Sequence, residues 1–163
     1  MRYQVRLAEI SDLSAIETIY GNARLFMEET GNPSQWGKTY PSRQMICNDM
    51  EQKKLYVLTE DGVIHGVFYF SLGMDPTYEK IEGRWRAESA YGTIHRIAGD
   101  GSGGIVKAAL AYCAQRIDHI RIDTHEYNHV MQKALEKLGF RKCGIILTDD
   151  GTPRIAYDYL KKK

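Results

Sequence analysis

Two features of the sequence could support chemistry, a glycine-rich loop and a histidine just before it. The loop at residues 98–106 contains four glycines and separates a predicted strand from a predicted helix. Such a loop presents unpaired backbone N–H groups and the positive end of a helix dipole, which suits a phosphate or pyrophosphate. His95 precedes the loop, and histidine changes its charge near neutral pH. The loop therefore predicts an anionic ligand.

Other phosphate-binding motifs fit the loop poorly. A P-loop requires Lys followed by Ser or Thr after its glycines, and that pair is missing. Gly99, Gly101 and Gly104 fit G-x-G-x-x-G, but the surrounding elements do not continue as the doubly wound parallel sheet of a dinucleotide-binding fold. A flexible turn without a ligand is the alternative that the loop alone leaves open.

The elements that must position these residues follow from hydrophobic periodicity and turn residues. A strand, helix and strand crossover after the glycine loop, inside a mostly antiparallel sheet, predicts an α+β fold. The predicted strands lie at residues 3–8, 55–58, 63–70, 92–98, 120–124, 143–147 and 154–160, and the predicted helices at residues 11–27, 42–52, 105–113 and 128–138.

Composition limits the classes of protein to which the chain can belong. Its 163 residues fit a single domain, 1–163, and 22 Lys and Arg against 21 Asp and Glu leave a net charge of +1, which gives no support for nucleic-acid binding. No apolar run approaches the roughly 20 residues that span a bilayer, so we expect no membrane association and a cytoplasmic protein. Three widely spaced cysteines argue against a disulfide framework and are predicted to be buried thiols: Cys47, Cys113 and Cys143.

The order of elements resembles the GNAT N-acetyltransferase superfamily over essentially the full length of the chain. Local sequence matches support the resemblance, and the most specific is the late helix and its exit. These matches are Arg6-Leu7-Ala8 with Asp12-Leu13 and Ile16, Ile94-His95-Arg96-Ile97-Ala98, Ile120-Arg121-Ile122-Asp123-Thr124-His125, and Asn128 with Ala134 and Glu136-Lys137-Leu138-Gly139-Phe140. The middle two look like a bacterial subgroup whose substrates are mostly unassigned.

The resemblance implies a GNAT-like fold, a mostly antiparallel sheet with helices on both faces, that binds acetyl-coenzyme A and acetylates an amine of a small molecule or peptide. It is compatible with a homodimer. In such a fold the pantetheine arm pairs with the strand before the glycine loop, and the loop wraps the pyrophosphate. The implied cofactor residues are Ile97, Ala98, Gly99, Gly101, Ser102, Gly103, Gly104, Ile105, Val106 and Asn128. Two departures are that Gly101 stands near the family's basic loop position and Leu135 at the position of its usual tyrosine acid.

Proton removal from the acceptor ammonium, with a pKa near about 10, requires a base more than an acid, because a coenzyme A thiolate is a tolerable leaving group. His95 is the predicted base or relay, with Asp123 and Glu126 as alternatives. Strand alternation is expected to send His95 and Arg96 to opposite faces, where Arg96 pairs with a carboxylate. Tyr127 and Tyr91 are candidates for the missing acid.

A metal site is not expected, because His125 and His129 do not share one helical face.

Four aromatic residues are predicted to flank the acceptor and to hold a cationic amine by cation–π contact: Trp36, Tyr40, Tyr78 and Trp85. Ordinary packing of bulky rings is the alternative for each of them. Two other readings of the whole chain stay open, a non-catalytic module that binds or senses acyl-coenzyme A, and a structural domain with an empty cleft. Leu135 and the irregular loop favour these readings, whereas His95 and Asn128 favour an enzyme.

Overall fold

The computed structural model describes residues 2–162 and contains one eight-stranded sheet. The strands are β1 Gln4–Leu7, β2 Leu55–Glu60, β3 Val63–Leu72, β4 Glu82–Gly83, β5 Gly92–Gly99, β6 His119–Thr124, β7 Arg141–Leu147 and β8 Pro153–Leu160. Their order across the sheet is β1-β2-β3-β5-β6-β8-β7-β4. Only β5 and β6 are parallel among these pairs, so the predicted α+β class with a mixed, mostly antiparallel sheet is confirmed.

Four α-helices cover the sheet, and each buries one apolar stripe. They are α1 Leu13–Glu29, α2 Arg43–Glu51, α3 Ile105–Ala114 and α4 His129–Lys137. The side chains of Ser42 and Asn128 cap α2 and α4 by accepting hydrogen bonds from the backbone N–H groups three residues later. None of the helices within residues 2–162 is both long enough and apolar enough to span a bilayer.

Three apolar clusters pack against the two faces of the sheet. Helices α3 and α4 pack on one face, in a cluster that includes Phe68, Ile94, Ile97 and Ile122. Helices α1 and α2 pack on the other face. A third cluster consists of Tyr78, Trp85, Ile146 and Ala156 and lies on the β7–β8 side of the sheet. The polar residues of the candidate site lie between the second and third clusters.

A bulge in β5 overturns the expectation that His95 and Arg96 lie on opposite faces. Tyr69 pairs with His95 and Val67 with Ala98, so two steps along β3 oppose three steps along β5. Arg96 lies in the bulge, and its backbone has a positive φ of 50°, which accommodates the extra residue of β5. Both side chains then contact the Tyr69 ring and lie on one face. The shared face of His95 and Arg96 follows from the pairing of β5 with β3, which the local sequence does not show.

The parallel strands β5 and β6 separate after a short paired stretch. Pairing joins Gly92 to Ile120 and Thr93 to Arg121, while β6 pairs with β8 along its whole length. Within the described residues, β5 therefore has an unpaired edge from its bulge to Gly99. Such an edge can receive an extended ligand as an additional strand.

The predicted elements agree with the structure to within a few residues, except in three places. The two-residue strand β4 and the 3-10 turns Ile10–Asp12 and Pro76–Tyr78 were not predicted, because they are too short to show a period.

Of the three cysteines only Cys113 is fully buried, whereas Cys47 and Cys143 are partly exposed, so the prediction of three buried thiols was wrong for two of them.

Candidate active site

A cleft of about 920 Å³ opens where the unpaired edge of β5 meets the glycine loop. Its walls are the middle of α1, the end of β5, the first turn of α3 and one side of α4. Nine of the ten predicted cofactor residues line it: Ile97, Ala98, Gly99, Gly101, Gly103, Gly104, Ile105, Val106 and Asn128. The tertiary structure thus brings together the strand edge, the loop and the α4 cap.

The glycine loop is held by side chains behind it. Gly101, Gly103 and Gly104 all have positive φ values, between 76° and 91°. The Tyr3 hydroxyl donates to the Gly103 carbonyl at 2.6 Å, and the Arg2 guanidinium donates to the Ser102 carbonyl at 2.8 Å. These contacts hold two loop carbonyls that would otherwise compete for the loop's backbone N–H groups.

Ser102 is the one predicted cofactor residue that does not line the cleft. Its backbone N–H donates to Asp100 at 3.0 Å, and its hydroxyl lies 3.1 Å from Nδ1 of His65. His65 also contacts the Asp100 carboxylate at 2.6 Å. Burial alone would raise the pKa of Asp100, but the hydrogen bonds from Ser102 and His65 lower it. Ser102 therefore shapes the loop, and its direct contact with a cofactor stays a prediction.

Positive charge enters the cleft from two helices instead of from the loop. Lys107 in the first turns of α3 and Lys137 at the end of α4 both line it. Sequence reasoning missed both lysines, because each is an ordinary surface residue of its helix until the two helices face one cleft.

His95 lies two residues before Ile97, which lines the cleft, and between two carboxylates. Its Nε2 is 2.7 Å from Asp75, and its Nδ1 is 3.8 Å from Asp123. A carboxylate can only accept, so in the neutral form of the ring the Asp75 contact places the proton on Nε2 and the lone pair on Nδ1. The ring keeps about a fifth of its side-chain surface exposed, at 22%. Nδ1 of His95 is thus the ring nitrogen on the side of Asp123.

Asp75 was missed by sequence reasoning, because nothing in the loop between β3 and β4 marks it. Burial alone would raise the pKa of its carboxyl, but the hydrogen bond and charge of His95, with two hydrogen bonds from Thr77, lower the pKa to about 2. The backbone N–H of Asp75 donates to the Tyr91 hydroxyl at 2.7 Å. Asp75 is therefore an ionised, fixed partner for Nε2 of His95.

Asp123 receives a hydrogen bond of 2.7 Å from the Tyr78 hydroxyl. Burial and the Asp123 charge hold the pKa of Tyr78 well above its ordinary value, so the phenol stays protonated and keeps donating. The Asp123 side chain is 14% exposed. It places a carboxylate within reach of any group that approaches Nδ1 of His95.

Arg96 forms the ion pair that the sequence predicted, and its partner is Asp49 in α2. Two hydrogen bonds of 2.9 and 3.0 Å join them. A further donor of Arg96 reaches the Tyr40 hydroxyl at 3.2 Å. Burial alone would lower the pKa of Arg96, but Tyr40 and Asp49 outweigh it and raise the pKa. The pair is thus neutral overall and fixes Tyr40 beside the site.

The four predicted aromatic residues occupy two different places. Trp36 and Tyr40 contact each other and remain partly exposed beside the Arg96 pair. Tyr78 is buried, its hydroxyl is bound to Asp123, and its ring centroid lies 5.7 Å from that of the His95 ring. Trp85 is 6% exposed, donates to the Tyr78 carbonyl and packs against Arg121. Because Trp85 supports Tyr78 from behind, its assignment as an acceptor wall is corrected.

The remaining candidates lie away from His95 or are already engaged. Leu135 is fully buried in the core. Tyr127 is 52% exposed and packs on the His125 ring. His125 is buried at the end of β6, whereas His129 is exposed at the start of α4. Within residues 2–162 no three His, Cys, Asp or Glu side chains form a group that could hold a metal ion.

Comparisons with known proteins give structural matches only. No protein-family model and no curated protein matches the sequence. A GNAT-family acetyltransferase from Streptococcus agalactiae is 31% identical, with a TM-score of 0.88 over 99% of this chain and 96% of that chain. GNAT-family acetyltransferases from Listeria monocytogenes and Bacillus cereus are 18% and 22% identical, with TM-scores of 0.70 and 0.61. They cover 97% and 99% of this chain and 94% and 99% of their own, and they share the fold.

Proposed function

The chain belongs to the GNAT family of acetyltransferases, and from this we propose that it transfers the acetyl group of acetyl-coenzyme A directly to an amine while both substrates are bound. The observation that carries the proposal is the position of His95, two residues along β5 from the cleft that the glycine loop closes. The acceptor site would lie on the sheet face that carries His95, Asp123 and Tyr40. The acceptor and the ligand of the cleft would then meet at the bulge.

The cleft has the chemistry that coenzyme A requires. The loop offers backbone N–H groups at the start of α3, and the dipole of that helix favours an anion there. Lys107 and Lys137 add two positive charges. The unpaired edge of β5 offers the hydrogen bonds that two pantetheine amides would need. Asn128 already caps α4 and donates to Gln35 at 3.0 Å, so its side chain is fixed where the cleft passes it.

Three side chains would handle the acceptor proton. Asp123 would attract the ammonium, and Nδ1 of His95 would take the proton before the amine attacks. Asp75 would stabilise the resulting imidazolium through its hydrogen bond to Nε2. Acetyl-coenzyme A supplies a thioester whose thiolate leaving group has a pKa of about 8.5, so no tyrosine acid is required at the position of Leu135. Tyr127 and Tyr91 stay predictions as acids.

The proposal is tested by thermal unfolding with acetyl-coenzyme A, followed by an assay of thiol release with a panel of amines. Binding to the native state at about 100 times Kd stabilises by about 2.7 kcal/mol, which raises the midpoint by roughly 5–10 °C in a domain of this size. We expect a saturable shift and thiol release that depends on the amine. No shift at millimolar ligand would contradict the proposal, and a shift without any amine-dependent release would favour the sensing module.

Asp75→Asn tests the orientation of His95. The Asn amide can donate to Nε2, which would move the ring proton to Nδ1 and remove the lone pair that faces the acceptor. We expect turnover to fall by about 10–100-fold at pH 7 with acetyl-coenzyme A affinity unchanged, as measured by steady-state kinetics and calorimetry. Asp61→Asn, in the exposed β2–β3 turn, is the control. Wild-type turnover in Asp75→Asn would show that Asp75 does not act through His95.

A further inference from the structure

A buried arginine on β8 has no ion-pair partner in the described part of the chain. Arg154 is 8% exposed, and its guanidinium donates to the carbonyls of Pro153 and Gln35, both at 3.1 Å. Two of its five N–H groups are thus used, both on neutral acceptors. Within residues 2–162 no carboxylate lies within 4.0 Å of it.

Arg121 also lacks a carboxylate within 4.0 Å, so among residues 2–162 Arg154 differs from the other buried arginines in having neither a carboxylate nor an aromatic ring as partner. Arg96 has a carboxylate partner in Asp49. Arg121 lies over the rings of Trp85 and Tyr91. Burying a cation without an anion is costly, so proteins usually pair such groups. An unpaired buried guanidinium is therefore a candidate for binding an anionic ligand.

The groups that the structure describes around Arg154 leave the charge of its guanidinium without a bound anion. Burial and the Arg154 charge lower the pKa of His125, and Nδ1 of that ring accepts from the backbone N–H of Tyr127, so His125 is neutral. The Asp150 carboxylate feels the Arg154 charge from the exposed β7–β8 turn, but it is held there by Thr148 and Thr152. The Arg154 guanidinium thus keeps N–H groups that can donate to a ligand.

Arg154 and Asp123 carry opposite charges on the same face of the sheet. Asp123 pairs with Ala156, two residues from Arg154 on β8, so the two are diagonal neighbours with backbones about 7–8 Å apart. They do not bind each other, because Asp123 is engaged by Tyr78 and lies near His95. One small molecule with both charges can span this separation.

We propose that the acceptor is an amine that also carries a carboxylate, as a free amino acid does. Its ammonium lies at Asp123 and His95, and its carboxylate lies at Arg154, which can bind a carboxylate with two parallel hydrogen bonds. The segment at Ser34 and Gln35 covers the carboxylate end, because Ser34 contacts His125 and Gln35 contacts Arg154. This inference rests on the proposed acetyl transfer and names the class of its acceptor.

The test compares amino acids with the amines that lack only the carboxylate. The pairs are L-phenylalanine with 2-phenylethylamine, L-leucine with 3-methylbutylamine, and L-methionine with 3-(methylthio)propylamine, each at saturating acetyl-coenzyme A. We expect kcat/KM from thiol release to be at least about tenfold higher for the amino acid of at least one pair, as a charge-assisted hydrogen bond to a carboxylate provides. A preference for the amine in every pair would overturn the proposal.

Substitution of Arg154 assigns that preference to its side chain. In Arg154→Gln the ratio of kcat/KM within the preferred pair falls at least about tenfold, and in Arg154→Lys it falls less, because the charge stays but the planar fork is lost. Arg43→Gln, which changes an exposed arginine of α2 that pairs with Glu17 of α1, leaves the ratio unchanged. An unchanged ratio in a folded Arg154→Gln would overturn the proposal. If Arg154→Gln does not fold, the kcat/KM ratio of Arg154→Lys is compared with that of the wild type, and an unchanged ratio would overturn the proposal.

Binding separates this inference from the proposed function. Calorimetry measures the affinity of the same six compounds for wild type and Arg154→Lys in the presence of coenzyme A. Tighter binding of the amino acids that weakens in Arg154→Lys supports the carboxylate site even if no amine is acetylated, in which case acetyl transfer is wrong. Acetylation of amines with no preference for a carboxylate in rate or affinity leaves acetyl transfer standing and overturns the carboxylate site.

Discussion

Replacing His95 with Ala is expected to lower kcat/KM for the amine by about 10²–10⁴-fold, the range that a positioned general base contributes. The loss should appear in turnover, because His95 lies between Asp75 and Asp123, where its Nδ1 would take the proton of the acceptor. Affinity for acetyl-coenzyme A should change little, since His95 does not line the cleft. Steady-state kinetics and calorimetry together measure this separation.

The matched control for this prediction is His129→Ala, which removes an exposed histidine at the first residue of α4. Its kinetics should equal those of the wild type. If His95→Ala reduced affinity and turnover equally, His95 would be a structural residue of the sheet. Full activity in His95→Ala would assign the proton to Asp123 or to solvent.

Gly104→Asp is expected to weaken acetyl-coenzyme A binding at least about 100-fold, which corresponds to about 2.7 kcal/mol. Gly104 lies directly before Ile105, the first residue of α3, and a Cβ there meets only the Tyr3 ring at 3.7 Å. A new carboxylate would therefore occupy the place at the helix start that the pyrophosphate requires and would repel it. Calorimetric titration of the folded variant with coenzyme A measures the loss.

Two further variants separate charge from backbone strain at this position. Gly104 has a φ of 76°, a conformation that costs an ordinary residue about 1–2 kcal/mol. Gly104→Asn has the same shape as Asp without its charge, and Asn tolerates this conformation, so it should lose much less affinity. Gly62→Asp imposes similar strain in the β2–β3 turn, where φ is 79°, and should bind normally. Equal losses in both Gly104 variants would contradict the electrostatic argument.

The bulge in β5 shows where reasoning from sequence stops. Alternation along Ile94, His95 and Arg96 correctly predicts a strand and its first two side-chain directions. The extra residue at Arg96 then reverses the phase, so that Ile97 joins Ile94 in one cluster and Ala98 joins the other. A one-residue shift reverses the face of every following side chain. The pairing with β3 that creates the shift involves residues far away in sequence.

The proposed proton-handling residues show the same limit over longer distances in the sequence. His95 could be singled out as a base because its type and its strand are both visible locally. Its fixed partner Asp75 and the charge at Arg154 come from a loop and a late strand, and neither position carries a periodic signal. Lys107 and Lys137 likewise gain a role only because α3 and α4 face one cleft.

The sequence by itself determined the α+β class and the main helices and strands, and it predicted the glycine loop as an anion site and His95 as a base. These features depend on periodicity, turn residues and backbone chemistry, all of which act over a few neighbouring positions. Only the tertiary structure decided that His95 and Arg96 share a face, that Trp85 is buried behind Tyr78 and that Asp123 and Arg154 are diagonal neighbours. Those facts follow from strand register, which depends on how distant segments bury their apolar faces together.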